Sequence, residues 1–92
     1  MNDVRAHIVI MGRVQGVGFR YFAISWAERL GLTGFVRNNY DGSVETEVEG
    51  DRSAVEEYIT QMKLGPRWSR VTDVKVEYKP YEGIYKNFDV TR

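Results

Sequence analysis

The sequence predicts an α+β domain of order βαββαβ, with an antiparallel sheet and both helices on one of its faces. Three observations carry that reading. Several short stretches alternate apolar and polar residues with a period of two, two longer stretches place apolar residues at helical spacing, and glycine, proline or a capping pattern separates them. Taken in chain order, these stretches give the split βαβ of ferredoxin-like folds.

The first strand is expected over Arg5 to Arg13, where Ala6, Ile8 and Ile10 share one side and Arg5, His7, Val9 and Met11 the other. From Arg20 to Leu30 the period changes: Phe22, Ala23, Trp26, Ala27 and Leu30 make a helical stripe, and Gly31 suits the positive φ of a helix end. Thr33 to Asn38 and Ser43 to Glu49 read as two strands of a hairpin, joined across Asn39-Tyr40-Asp41-Gly42, whose Asp-Gly pair signals a turn. Ser53 to Glu56 has capping-box spacing and opens a second helix, with Val55, Tyr58, Ile59 and Met62 as its stripe and Leu64-Gly65-Pro66 as its stop. Val74, Val76 and Tyr78 alternate in a last main strand until Pro80, and Phe88 and Val90 make a short addition. The face away from the helices is expected to meet solvent.

A chain of 92 residues fits one compact domain, so residues 1–92 are read as a single unit. Absence of cysteine excludes disulfides, thiol nucleophiles and zinc-thiolate or iron–sulfur sites. Lysine plus arginine number 13 and aspartate plus glutamate 13, so the basic excess that goes with nucleic-acid binding is missing. With no long apolar run and no basic-then-apolar leader, the chain is expected to be cytoplasmic and to have no membrane partner.

The stretch Gly12-Arg13-Val14-Gln15-Gly16-Val17-Gly18-Phe19-Arg20 places two close glycines between the first strand and the first helix. Glycines there let successive backbone N–H groups converge, and a helix N-terminus behind them adds its positive end, an arrangement suited to phosphate or carboxylate. Arg20 sharpens that reading, because a cation in a first helical turn is unfavourable by roughly 0.3–1 kcal/mol unless an anion lies between it and the helix. A tight glycine turn with an exposed arginine is the plain alternative. No Lys-Ser/Thr follows the last glycine and the spacing is not the dinucleotide fingerprint, so nucleotide binding is not implied.

The same nine residues resemble the first signature of the acylphosphatase family. Gly34-Phe35-Val36-Arg37-Asn38, followed after three residues by Gly42-Ser43-Val44 and then Gly50, resembles the second. Similarity runs on through Gly65-Pro66 and Tyr85 to Val90, with Arg67 standing where relatives often have a second proline. The resemblance implies the ferredoxin-like fold and hydrolysis of acyl phosphates to a carboxylate and inorganic phosphate, without a cofactor or metal. It places the phosphate cradle on the backbone of Gln15, Gly16, Val17, Gly18, Phe19 and Arg20, the phosphate-binding arginine on Arg20, and the water-positioning asparagine on Asn38.

That chemistry suits the residues present. A carboxylate is a weak base and leaves with little protonation, and no histidine, cysteine or aspartate in the glycine loop offers a nucleophile, so direct attack by water remains. His7 is read as an ordinary strand residue without a role. As an isolated residue, Asn38 reads equally as a strand-end asparagine shaping the hairpin. Glu45, Glu47 and Glu49 run along one strand rather than converging on a metal and are expected on a solvated face. A ferredoxin-like binding module for RNA or a small anion is the rival of another class. The expected partners are an acyl phosphate and phosphate itself as product and inhibitor, with no nucleic acid, acting on a monomer.

Overall fold

The computed structural model describes residues 2–91. Its elements are β1 (Asp3–Arg13), α1 (Phe19–Arg29), β2 (Thr33–Asn38), β3 (Val44–Asp51), α2 (Arg52–Leu64), β4 (Arg70–Lys79) and β5 (Phe88–Val90). The sheet order is β4-β1-β3-β2-β5. The four long strands pair antiparallel, and the short C-terminal addition joins as a fifth strand running parallel to β2.

The alternating apolar residues of the strands face both helices. Ala6, Ile8 and Ile10 of β1, Val36 of β2 and Val44 and Val48 of β3 are fully buried beneath Ala23 and Ala27 of α1 and Val55, Tyr58 and Met62 of α2. The core contribution of α1 includes the small Ala23 and Ala27, while that of α2 includes the large Tyr58. Its phenol is buried but satisfied. Thr46 donates its hydroxyl to the Phe35 carbonyl at 2.7 Å, so at 2.8 Å the Tyr58 hydroxyl donates to Thr46. Burial raises the Tyr58 phenol far above its ordinary value and keeps that donor proton in place.

α2 begins two residues earlier than the capping-box pattern indicates. Asp51, not Ser53, is its N-cap, and the Asp51 carboxylate accepts from the Ser53 amide at 3.1 Å and from the Ser53 hydroxyl. β3 runs as far as Asp51, so the chain turns directly from strand into helix and the nearer acceptor takes the cap. At the other end Gly65, with φ of 73°, closes the helix by donating to the Gln61 carbonyl.

The outer sheet face departs from the expectation of a solvated row of glutamates. Glu47 is 5% exposed and Glu49 1%, because the chain between β4 and β5 crosses over them. The Glu49 carboxylate accepts from the backbone amides of Glu82, Gly83 and Ile84 at 2.7 to 3.0 Å. Glu47 takes the Tyr85 hydroxyl and lies within 3.5 Å of Arg5 and 3.8 Å of Lys79. Glu45 accepts from the Arg37 guanidinium and pairs with His7 Nε2 at 2.5 Å. Burial alone would raise the Glu45 carboxyl, but the hydrogen bonds from His7 and Arg37 outweigh it and hold the group below the ordinary glutamate range. The three carboxylates fasten a crossing strap and the basic side chains of Arg5, Arg37 and Lys79 to the sheet, which explains why acidic residues occupy a covered face.

Candidate active site

The connection from β1 into α1 is built by what its side chains can bury. Val14 and Phe19 are both in the core and fix the two ends of the loop, while Gly16, Gly18 and Arg20 stay outside. Gly16 and Gly18 have φ of 73° and 79°, the left-handed region, and open space surrounds both. Glycine is needed at these points for the turn itself rather than for room. Gly18 is also the α1 N-cap, with no side-chain cap behind it and no acidic residue in the first helical turn. Among the described residues, the backbone amides from Gln15 to Arg20 donate to no protein acceptor. Arg20, exposed in that first turn, pairs with no carboxylate among them.

Facing this loop is the exit of β2. Asn38 is the last residue of the strand, opposite Val44, and it lines one open pocket together with Gln15 and Arg20. The hairpin turn does not use its side chain. Asn39 donates its amide to Ser43 Oγ at 3.0 Å and its backbone N–H to the Ser43 carbonyl at 2.9 Å, and the Asp41 carboxylate accepts from both the amide and the hydroxyl of Ser43. Those hydrogen bonds lower the Asp41 carboxyl from its usual range. The Asn38 amide makes no side-chain hydrogen bond to any described residue. Of the two adjacent asparagines, Asn39 shapes the turn and Asn38 is left facing the pocket.

Gln15 has a part that sequence reading missed. Besides contributing a loop amide, its side-chain Nε2 donates to the Asn39 carbonyl at 2.7 Å and to the Ser43 carbonyl at 2.9 Å. It therefore ties the glycine loop to the hairpin and sets the distance between Arg20 and Asn38. A glutamine at a strand end carries no signal that it will reach a turn 24 residues away. Thr91, just past β5, closes one side of the pocket and donates its N–H to the Val36 carbonyl at 2.9 Å.

A family model described as acylphosphatase matches residues 6–90. The chain belongs to the acylphosphatase family. It is 54% identical to an acylphosphatase of Bifidobacterium longum over 79 residues, 86% of this chain and 81% of that protein. It is 49% identical to one of Moorella thermoacetica over 83 residues, 90% of this chain and 89% of the relative. The crystal structure of acylphosphatase from Bacillus subtilis superposes with a TM-score of 0.93 at 36% identity, covering 97% of this chain and 99% of that one. The fold is thus the ferredoxin-like α+β fold of the acylphosphatases, and the enzyme hydrolyses acyl phosphates. A binding module without catalysis is not favoured. No helix among the described residues is long and apolar enough to cross a membrane.

Proposed function

We propose that the phosphoryl group of the acyl phosphate is held by the backbone amides from Gln15 to Arg20 and by the Arg20 guanidinium, and that Asn38 positions the attacking water. The observation that carries the proposal is the meeting of Gln15, Arg20 and Asn38 in one pocket, the first two at the ends of a loop whose backbone amides find no acceptor among the described residues. Amides fixed at a helix N-terminus give preorganised donors, and a guanidinium adds a two-pronged grip on equatorial oxygens whose charge grows in the transition state.

In the reaction, the water oxygen bonds to phosphorus as the bond between phosphorus and the acyl oxygen breaks, and the acyl group leaves as its carboxylate. The water proton passes to a phosphate oxygen of the substrate, for no described carboxylate or imidazole lines the pocket. Asn38 is neutral, so it orients water without drawing negative charge toward the phosphoryl group. Product phosphate would occupy the same cradle and inhibit, and a cytoplasmic location completes the reading.

Asn38→Ala separates the two roles. The expected result on benzoyl phosphate, with chelator present, is a kcat lowered about 10²- to 10³-fold, the effect of losing one positioned catalytic group, with the phosphate inhibition constant little changed. Because Asn39, Asp41 and Ser43 hold the turn, the urea midpoint should stay near that of the wild type. A folded variant with unchanged kcat would remove Asn38 from the mechanism.

A further inference from the structure

We propose that Arg37 reads the acyl end of the substrate and selects acyl phosphates that carry a second anionic group. The inference rests on the phosphoryl site proposed above and adds a second cation to the same pocket. Arg37 lines that pocket with Arg20, yet it precedes Asn38 on β2, so its side chain leaves the strand from the opposite face and reaches the pocket around the sheet edge. β5 pairs with β2 only over Gly34, Phe35 and Val36, which leaves the edge beside Arg37 and Asn38 open.

The phosphoryl group has its own donors in the loop amides and Arg20 proposed above, which leaves this second cation free for the rest of the substrate. Arg37 is nevertheless held in a defined pose. Its Nε and Nη2 donate to Glu45 Oε1 at 3.1 and 2.9 Å, and the other Glu45 oxygen is engaged by His7 at 2.5 Å. A carboxylate fixed from both sides anchors the guanidinium through one edge. The Nη1 edge lies outside that pairing, on a side chain that is 41% exposed. An arginine preset in this way loses little rotamer freedom on meeting a ligand, and its free edge suits a carboxylate or phosphate. Tyr40, fully exposed, lines the same pocket and offers a flat surface for the acyl body.

The test compares the 3- and 4-carboxybenzoyl phosphates, whose rigid rings prevent the second carboxylate from attacking its own anhydride, with neutral carbamoyl analogues of the same shape. The expected result is a kcat/KM ratio favouring at least one carboxylate isomer by about tenfold, as a charge-assisted hydrogen bond allows. In Arg37→Gln the ratio should fall toward one. Raising ionic strength should erode the wild-type preference in the same direction. A wild-type ratio near one for both isomers overturns the proposal, as does a preference that survives in Arg37→Gln. Failure of the phosphoryl-site reading looks different: Asn38→Ala or Arg20→Gln would then retain turnover on carboxylate and carbamoyl substrates alike.

Discussion

Arg20→Gln is expected to lose at least about 10³-fold in kcat/KM on any acyl phosphate, the range seen when an arginine that meets transition-state phosphoryl charge is removed. Phosphate should also lose most of its inhibitory power, because the guanidinium grips the phosphoryl group before and during reaction. Stability should move the other way. Arg20 is exposed, pairs with no described carboxylate and places a positive charge at the positive end of α1, so its neutralisation should leave the unfolding free energy from the urea curve unchanged or raise it by up to about 1 kcal/mol. Measuring turnover, phosphate inhibition and the urea curve on one preparation checks all three. A well-folded Arg20→Gln with near wild-type kcat/KM would contradict the assignment.

The largest expected effect on stability is at Gly34. A Cβ built there would sit 1.8 Å from the Glu47 carbonyl oxygen and 3.0 Å from the Val48 Cα, both backbone atoms of the paired strand. No side-chain rotation relieves that collision, and the φ of 148° is itself poorly suited to alanine. Gly34→Ala must therefore pry β2 from β3 along a buried stretch, at a cost of at least about 4 kcal/mol, a large share of the total stability of a small domain. Circular dichroism should show a molecule mostly unfolded or melting far below the wild type. A Tm within a few degrees of the wild type would refute the reading. The glycine that opens the second signature is thus explained by strand packing, four residues before the asparagine that the same signature places at the site.

Most of the fold could be read from the residues because each long element buries one face. The period in Ala6-Ile8-Ile10 and the stripe Val55-Tyr58-Ile59-Met62 are direct images of the core they enter. The outer face was misread for a physical reason. Glu47 and Glu49 are covered by a crossing strap whose own residues show no period, and Glu49 is satisfied by backbone amides, which leave no mark in a side-chain pattern. The cap of α2 was a contest between Asp51 and Ser53, both good caps, and only the length of β3 decides it. At the site, the composition of the glycine loop points to the anion cradle proposed here. Which of Asn38 and Asn39 shapes the turn, and what the Gln15 side chain holds, depend on three-dimensional reach and not on local spacing.

The unpaired amides from Gln15 to Arg20 also set a distinctive hydrogen-exchange behaviour. In the free protein they have no acceptor among the described residues to protect them, although the loop ends are pinned in the core by Val14 and Phe19. Their protons should exchange with solvent deuterium nearly as fast as those of an open chain, while the backbone around them stays ordered. Saturation with inorganic phosphate should slow this short run selectively, by about the factor 1 + [L]/Kd that binding imposes on the free population. Protection appearing at consecutive residues of one loop, without turnover of any substrate, would map the cradle amide by amide. It would also yield the phosphate affinity from exchange rates alone.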